Sequence, residues 1–284
     1  MLLNKSDIKS YAKINIGLKI LDLLPDGYHS IITIMQEIDF FDLISISKQE
    51  KNKIQLFCNG PISVPSDKTN LCYKAAKLIY DNYNCPHGVD IALTKNVPIG
   101  AGLGGGSSNA ATVLKQLNDI FELNISKNHL HELALEIGCD VPFFIDGNIQ
   151  LCEGKGEKLT PLSIDLSKYF IVLILPNFSV STKWAYSFFK NDLCKRFDSN
   201  KFRTFQQSVD WTLFENDFEK VINLTYPEID KIRSALETQK ALFVSLSGSG
   251  STMFGIFDDI LNVDLTNHTL KSHNSHIVKP IFKN

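Results

Sequence analysis

Along residues 11–21 apolar and polar side chains alternate as far as Ile20. Ala12, Ile14, Ile16, Leu18 and Ile20 share one side; Tyr11, Lys13, Asn15, Gly17 and Lys19 share the other. Successive side chains of an extended chain point to opposite faces, so this spacing predicts a strand with one buried face. Pro25-Asp26-Gly27 ends it with turn chemistry, Pro presetting φ and Gly accepting a positive one. Residues 31–40, 43–47 and 54–58 read as three further strands. The period then changes: Leu71, Ala75, Leu78 and Ile79 form a helical stripe over 70–83, with Thr69 or Asn70 as cap. Val89, Ile91 and Leu93 alternate again and run into Lys95 and Pro98.

Next comes Gly100-Ala101-Gly102-Leu103-Gly104-Gly105-Gly106-Ser107-Ser108, followed by Ala110, Val113, Leu114 and Leu117 at helical spacing. A second helix, capped by Ser126, carries Leu130, Leu133, Ala134 and Ile137 and stops at Gly138. Residues 154–158 are a polar turn, and Pro161 closes an expected domain boundary, giving domains 1–160 and 161–284. Beyond it, 169–175 reads as a buried strand, Thr182 as the cap of a helix over 183–189, and 214–239 as two helices broken at Pro227. Residues 242–246 and 252–257 read as strands around Ser247-Gly248-Ser249-Gly250-Ser251. The tail after Asp258 is weakly patterned, and His268, His273 and His276 read as solvated.

Length changes the picture first: 284 residues favour two domains. The net charge of −2 excludes binding to nucleic acid or an anionic membrane driven by long-range attraction. Only three of the 29 basic residues are arginine, at Arg196, Arg203 and Arg233. A phosphate site in the first two-thirds of the chain must therefore use backbone N–H groups and lysines instead of the guanidinium fork. The cysteines Cys58, Cys72, Cys85, Cys139, Cys152 and Cys194 contain no CxxC pair and no zinc spacing. The opening MLLNKSDIKS lacks the apolar stretch of a secretory signal, and no apolar run approaches the ~20 residues that cross a bilayer. The expectation is a cytoplasmic protein with reduced thiols.

Gly100, Gly102 and Gly105 satisfy GxGxxG, but a dinucleotide site needs a strand ending in an acidic residue about 20 positions on. Glu122 lies between two helical patterns instead. A Walker A loop fails because Gly106-Ser107 stands where its lysine belongs. Five glycines in seven positions are costly to order. That cost makes sense where N–H groups converge on an anion at the positive end of a helix. The reading is a phosphate cradle.

Pro98-Ile99-Gly100 through Ser108-Asn109-Ala110-Ala111 and the late Ser247-Gly248-Ser249-Gly250-Ser251 resemble the GHMP kinase superfamily, which includes galactokinase, homoserine kinase and mevalonate kinase. Tyr11-Ala12-Lys13-Ile14-Asn15, Asp26-Gly27-Tyr28-His29 and Gly138-Cys139-Asp140-Val141-Pro142 resemble the branch whose acceptor is a cytidine diphosphate-linked methylerythritol. The match in order extends from about residue 10 to 255. The resemblance implies an α+β fold of two domains, the first like the second domain of a ribosomal small-subunit protein and the second ferredoxin-like. It also implies ATP with Mg2+ as phosphoryl donor, and a small-molecule alcohol acceptor.

By that resemblance Lys13 and Asp140 are the catalytic pair. By itself a lysine on a strand's polar face is a solvated residue, and an Asp after a helix-ending glycine is a turn former. Phosphoryl transfer nonetheless needs charge stabilisation and a group that takes the hydroxyl proton. The nucleotide would lie on Lys95, Pro98, Gly100, Gly102, Leu103, Gly104, Gly105, Gly106, Ser107, Ser108 and Asn109, with Ser107 or Ser108 as a magnesium ligand. Ala101 departs from the family, which often has Gly there. The acceptor would meet Asn15, Tyr28, His29, Thr182, Tyr186, Gly248, Ser249 and Gly250. Tyr28 stacks on the base in that reading, His29 bonds its edge, and Tyr186 closes a sandwich. A kinase of homoserine or mevalonate is the rival within the superfamily, disfavoured by Asp26-Gly27-Tyr28-His29. A non-catalytic nucleotide- or RNA-binding module is the rival outside it, disfavoured by net charge and by Lys13 with Asp140. A monomer or homodimer is expected.

Overall fold

The computed structural model describes residues 7–189, 202, 209–261 and 263–282. They group into two compact units that share the chain in alternating segments. The first takes residues 7–12, Phe40–Ile99 and Gly104–Gly147. The second takes Lys13–Asp39, Gly100–Leu103 and the described residues from Asn148 onward. The boundary expected at 160/161 falls inside the second unit, and the long strands β1 (Ile8–Leu23) and β2 (His29–Gln49) contribute residues to both. Cys194, Arg196 and Arg203 lie outside the described residues.

β1 pairs with β2. β2 is one strand where two were expected. The polar break at Asp42 is fully buried and hydrogen-bonded within the protein, so the extended backbone runs through it.

In the first unit, residues 43–49 of β2 pair antiparallel with β4 (Gly88–Thr94), and β4 pairs parallel with β3 (Ile54–Asn59). A parallel neighbour requires a crossover, here supplied by α1 (Leu71–Asn82). Asn70 caps α1, its Oδ1 accepting from the Cys72 N–H at 2.9 Å. The small residues Ala75 and Ala76 let α1 pack closely on α2 (Gly105–Ile120), which buries Ala110, Ala111, Val113, Leu114 and Leu117. α3 (Lys127–Ile137) starts at the Ser126 cap and stops at Gly138, as expected. The short α4 (Phe143–Asp146) follows, with Pro142 at its start.

In the second unit, residues 31–36 of β2 pair antiparallel with β5 (Ile149–Gly154), which pairs with β6 (Lys158–Pro161). A separate antiparallel sheet has the order β10-β7-β9-β8, from β7 (Phe170–Leu175), β8 (Phe243–Leu246), β9 (Met253–Phe257) and β10 (Asn274–Val278). The helix α5 (Thr182–Tyr186) is capped by Ser181 and ends before Phe189, one residue earlier in its cap and shorter than expected. α6 (Glu219–Thr225) and α7 (Glu228–Thr238) are separated at Pro227. Their Ile222, Ile229, Ile232 and Leu236 close with Phe218 on Val172, Ile174, Val244, Leu246 and Met253, joined by Leu18 and Ile20 of β1. Helices packed on one face of an antiparallel sheet define an α+β unit. The tail is more ordered than its pattern suggested: β10 is an edge strand, and His273 is half-buried with Nε2 3.2 Å from Glu228 Oε1. His268 and His276 are exposed.

Candidate active site

α2 begins without a side-chain cap. Gly104, at φ +66°, stands at the cap position, and the first bond of the helix runs from the Ser108 N–H to the Gly104 carbonyl at 2.9 Å. The N–H groups of Gly105, Gly106 and Ser107 thus have no partner within the helix, at the end where the helix dipole is positive. A Cβ on Gly105 would lie 2.8 Å from Lys95 Nζ and 2.8 Å from Val97 Cγ1, so only glycine fits. Bare amides at an uncapped helix start accept an anion.

The side chains predicted to help there divide by burial. Leu103 is buried, an apolar anchor whose polar contribution is its backbone. Pro98 is half-buried and Gly100 exposed. Ser108 is buried with its hydroxyl 2.8 Å from that of Ser10, whereas Ser107 is half-buried. Asn109 is buried and donates through Nδ2 to Ser10 Oγ and Asp42 Oδ2, both at 2.9 Å. Lys95 is buried and donates to Asp42 Oδ2 at 2.5 Å. Burial holds the Lys95 ammonium below the usual lysine range, with the Asp42 charge opposing. These three side chains are held within the first unit, through Asp42 and Ser10. Asp42, which receives two of them, carried no recognisable motif; its one signal is an aspartate inside an otherwise apolar strand.

In the second unit Lys13 is only 3 % exposed. Its ammonium donates to Asn15 Oδ1 at 2.5 Å and to the Gly102 carbonyl at 2.8 Å. The alternation of β1 puts Lys13 and Asn15 on one face, which is why they meet. Asn15 Nδ2 donates to Thr33 Oγ1 at 3.0 Å, and Thr33 donates to the Gly17 carbonyl at 2.6 Å. Ser247 Oγ donates to the same Gly102 carbonyl at 2.8 Å and accepts from the Asn15 N–H at 3.3 Å. A Cβ on Gly248 would stand 3.3 Å from Asn15 Oδ1. Lys13, Asn15, Gly102, Ser247 and Gly248 are therefore one constellation. Ser249 Oγ lies 2.9 Å from Thr182 Oγ1, and the Gly250 N–H donates to the Ser247 carbonyl at 3.0 Å. Ser247 belongs to the late small-residue segment that the sequence marks, whereas Thr33 acts through a hydroxyl that no spacing rule marks.

Asp140 stands in the turn between α3 and α4, half-buried, in the first unit. The Val141 N–H bonds the Gly138 carbonyl at 3.1 Å and the Val141 side chain is buried, so the turn is held from its backbone and its neighbour.

The aromatic residues of the second unit are arranged differently from the expected sandwich. Tyr28 is 58 % exposed, with the Lys155 ammonium 4.8 Å from its ring centroid. Lys155 also pairs with Asp26. Tyr186 stacks on His29, centroids 5.2 Å apart and rings inclined by 16°. His29 Nε2 is 2.7 Å from the Phe189 carbonyl oxygen. A carbonyl only accepts, so Nε2 donates, and Nδ1 is the acceptor of the ring in its uncharged form.

Known families and structures match this chain. Residues 70–148 match the family profile "GHMP kinases N terminal domain" and residues 196–263 match "GHMP kinases C terminal". The chain belongs to the GHMP kinase family. A 4-diphosphocytidyl-2-C-methyl-D-erythritol kinase of Clostridium botulinum strain Hall is 41 % identical over 267 residues, covering 90 % of this chain and 92 % of that protein. A crystal structure of a 4-(cytidine 5'-diphospho)-2C-methyl-D-erythritol kinase superposes with a TM-score of 0.76 at 28 % identity, covering 96 % of this chain and 98 % of that one. A homoserine kinase from Cytophaga hutchinsonii has a TM-score of 0.66 at 16 % identity, covering 98 % and 97 %, and shares the fold alone. Among the described residues no helix is long and apolar enough to cross a membrane.

Proposed function

We propose that this GHMP kinase transfers the γ-phosphoryl group of ATP to the 2-hydroxyl of 4-diphosphocytidyl-2-C-methyl-D-erythritol, a step of non-mevalonate isoprenoid biosynthesis. The start of α2 carries the phosphate side of this reading: three amides without helical partners, in a segment where a Gly105 side chain has no room. The acceptor side is supported by the 41 % identical relative and by His29, whose Nδ1 suits a donor such as the exocyclic amine of cytosine. Tyr28, exposed and beside Lys155, offers a face to a base, and Tyr186 stacks on His29.

In the reaction Asp140 takes the proton of the acceptor hydroxyl as its oxygen bonds to the γ-phosphorus. The bond from that phosphorus to the β,γ-bridging oxygen breaks, and ADP leaves. Lys13, oriented by Asn15 and the Gly102 carbonyl, stabilises the negative charge that develops. Asn15 and Gly248 line the same constellation from β1 and the late glycine loop, and Thr182 and Ser249 present hydroxyls beside it.

The donor set suits magnesium carried mainly by phosphate oxygens and water. Among the described residues no three His, Cys, Asp or Glu side chains gather as a metal cage. Ser107, its hydroxyl clear of the Ser10–Ser108 bond, is the protein group we assign to it. The ion would neutralise phosphate charge. A cytoplasmic location belongs to the same reading.

The test is ADP release with ATP and each candidate acceptor in turn. Turnover is expected with the cytidylylated methylerythritol and not with homoserine or mevalonate. Comparable turnover of either alternative overturns the acceptor, and no ADP release with any of them overturns the kinase reading.

A further inference from the structure

Asp42 is fully buried, yet its carboxylate accepts four hydrogen bonds from two separate pieces of the first unit. Oδ1 accepts from the backbone N–H groups of Asn96 at 2.7 Å and Val97 at 2.8 Å. Oδ2 accepts from Lys95 Nζ at 2.5 Å and Asn109 Nδ2 at 2.9 Å. One oxygen thus holds the backbone of the segment that leads into the glycine loop, and the other joins the Lys95 side chain of that segment to the second turn of the helix that leaves it. Ser10 extends the network, bonding Asn109 and Ser108 on consecutive helix positions.

A buried ion pair is a poor device for stability, because desolvation of both charges offsets most of their attraction. What it offers over an apolar pair is direction. Lys95 Nζ comes within 2.8 Å of where a Gly105 Cβ would stand, so the pair is seated against the first helical residue of α2. The amides proposed to hold ATP belong to that turn, and an uncapped, glycine-opened helix start has no side chain of its own to fix it.

We propose that Asp42 is a positioning residue for ATP: it fixes the start of α2 against residues 95–97, so that the amides of Gly105, Gly106 and Ser107 keep one orientation. This rests on the phosphate-cradle reading given above. Asp42 touches no reacting atom; it acts through Lys95, Asn109 and the backbone.

Asp42→Asn separates the two halves of the role. Its Oδ1 still accepts from Asn96 and Val97, while its new amide faces the Lys95 ammonium and the Asn109 amide, donor against donor. The bonds to the Lys95 and Asn109 side chains are released, and the backbone bonds to residues 96 and 97 are kept. The expected result in steady-state kinetics is a KM for ATP raised about tenfold or more, with KM for the cytidylylated acceptor within about twofold of wild type. A merely structural residue would lower Tm and leave that split unmoved. Should Asp42→Asn not fold, Ser10→Ala decides, since it removes only the outer bonds to Ser108 and Asn109. Its KM for ATP should rise about threefold. A folded Asp42→Asn protein with the wild-type KM for ATP overturns the inference, as does a wild-type value in Ser10→Ala where Asp42→Asn is insoluble. ATP turnover by the unaltered chain is measured first; its absence overturns the cradle reading itself, and the inference with it.

Discussion

The Lys13 ammonium lies 2.8 Å from the carbonyl oxygen of Gly102, so a strand side chain and the glycine loop hold each other in place. Asn15 completes the grip on the ammonium from two residues along β1. An oriented positive charge is the demand of phosphoryl transfer. Lys13→Met should lower kcat about 10²–10³-fold with a smaller change in KM for ATP. Lys13→Arg should not restore it, because a planar fork cannot bond both acceptors as the compact ammonium does. Steady-state kinetics on the three proteins checks this, and an Arg variant with wild-type kcat sinks it.

Gly102 has no room for a side chain. Its φ is +78°, and a Cβ would stand 1.9 Å from the Ser247 carbonyl oxygen. Gly100 has a similar φ of +63° but open space around it. Gly100→Ala should therefore cost only the left-handed backbone strain of about 1–2 kcal/mol. Gly102→Ala must also displace the Ser247 loop or the Lys13 acceptor, and should lose most activity besides stability. Chemical denaturation and kcat of the two variants side by side provide the check; equal effects would show that the close approach has no consequence.

Asp140 makes a cleaner probe of chemistry than of stability. Its turn is held by the Val141 N–H to Gly138 carbonyl bond and by the buried Val141 side chain, neither of which involves the carboxylate. Asp140→Asn should keep Tm within about 2 °C and reduce kcat by ~10²–10⁴. Wild-type turnover in a folded Asn variant removes Asp140 from the role of base.

How much of this was legible in the sequence depends on whether a residue's neighbours are local. Asn70, Ser126, Gly138 and the 100–108 segment act within a turn of themselves, and their types announce it. β5 went unseen because Ile149, Gln150, Leu151 and Cys152 are all buried, and a strand covered on both faces has no alternation to detect. β6 is an exposed edge formed by its register with β5, with no apolar face of its own. Asp42 misled the reading twice: its polarity split β2 in two, and its four partners, at positions 95, 96, 97 and 109, are invisible to any local pattern. Lys95, Ser108 and Asn109 go with the glycine motif in the sequence, but only the fold reveals that their side chains turn inward.

Lys19 of β1 offers a prediction in pH. Its ammonium lies 2.6 Å from Glu215 and 3.2 Å from Asp217, and the Asp217 carboxylate also accepts from the Ile20 N–H at 2.9 Å. Burial works to lower the Lys19 pKa, but the Glu215 hydrogen bond and the Asp217 charge outweigh it and raise it above 10.5. Glu215 is held below 4.5, first by that hydrogen bond and then by the lysine charge. A lysine raised on folding contributes its full stability below its unfolded pKa and loses it as pH climbs through the folded value. A carboxylate depressed on folding contributes above its unfolded pKa and loses it as pH drops through the folded value. The pair therefore acts in full from about pH 4.5 to about pH 10.5. Glu215 is largely exposed, so the gain is at most about 1 kcal/mol. Thermal denaturation of wild type and Lys19→Met should differ most near pH 7, and the gap should shrink as pH falls below about 4 and Glu215 takes up its proton. A gap of the same size at pH 3 and pH 7, both about equally resolved, would mean that Lys19 stabilises through its buried methylenes alone.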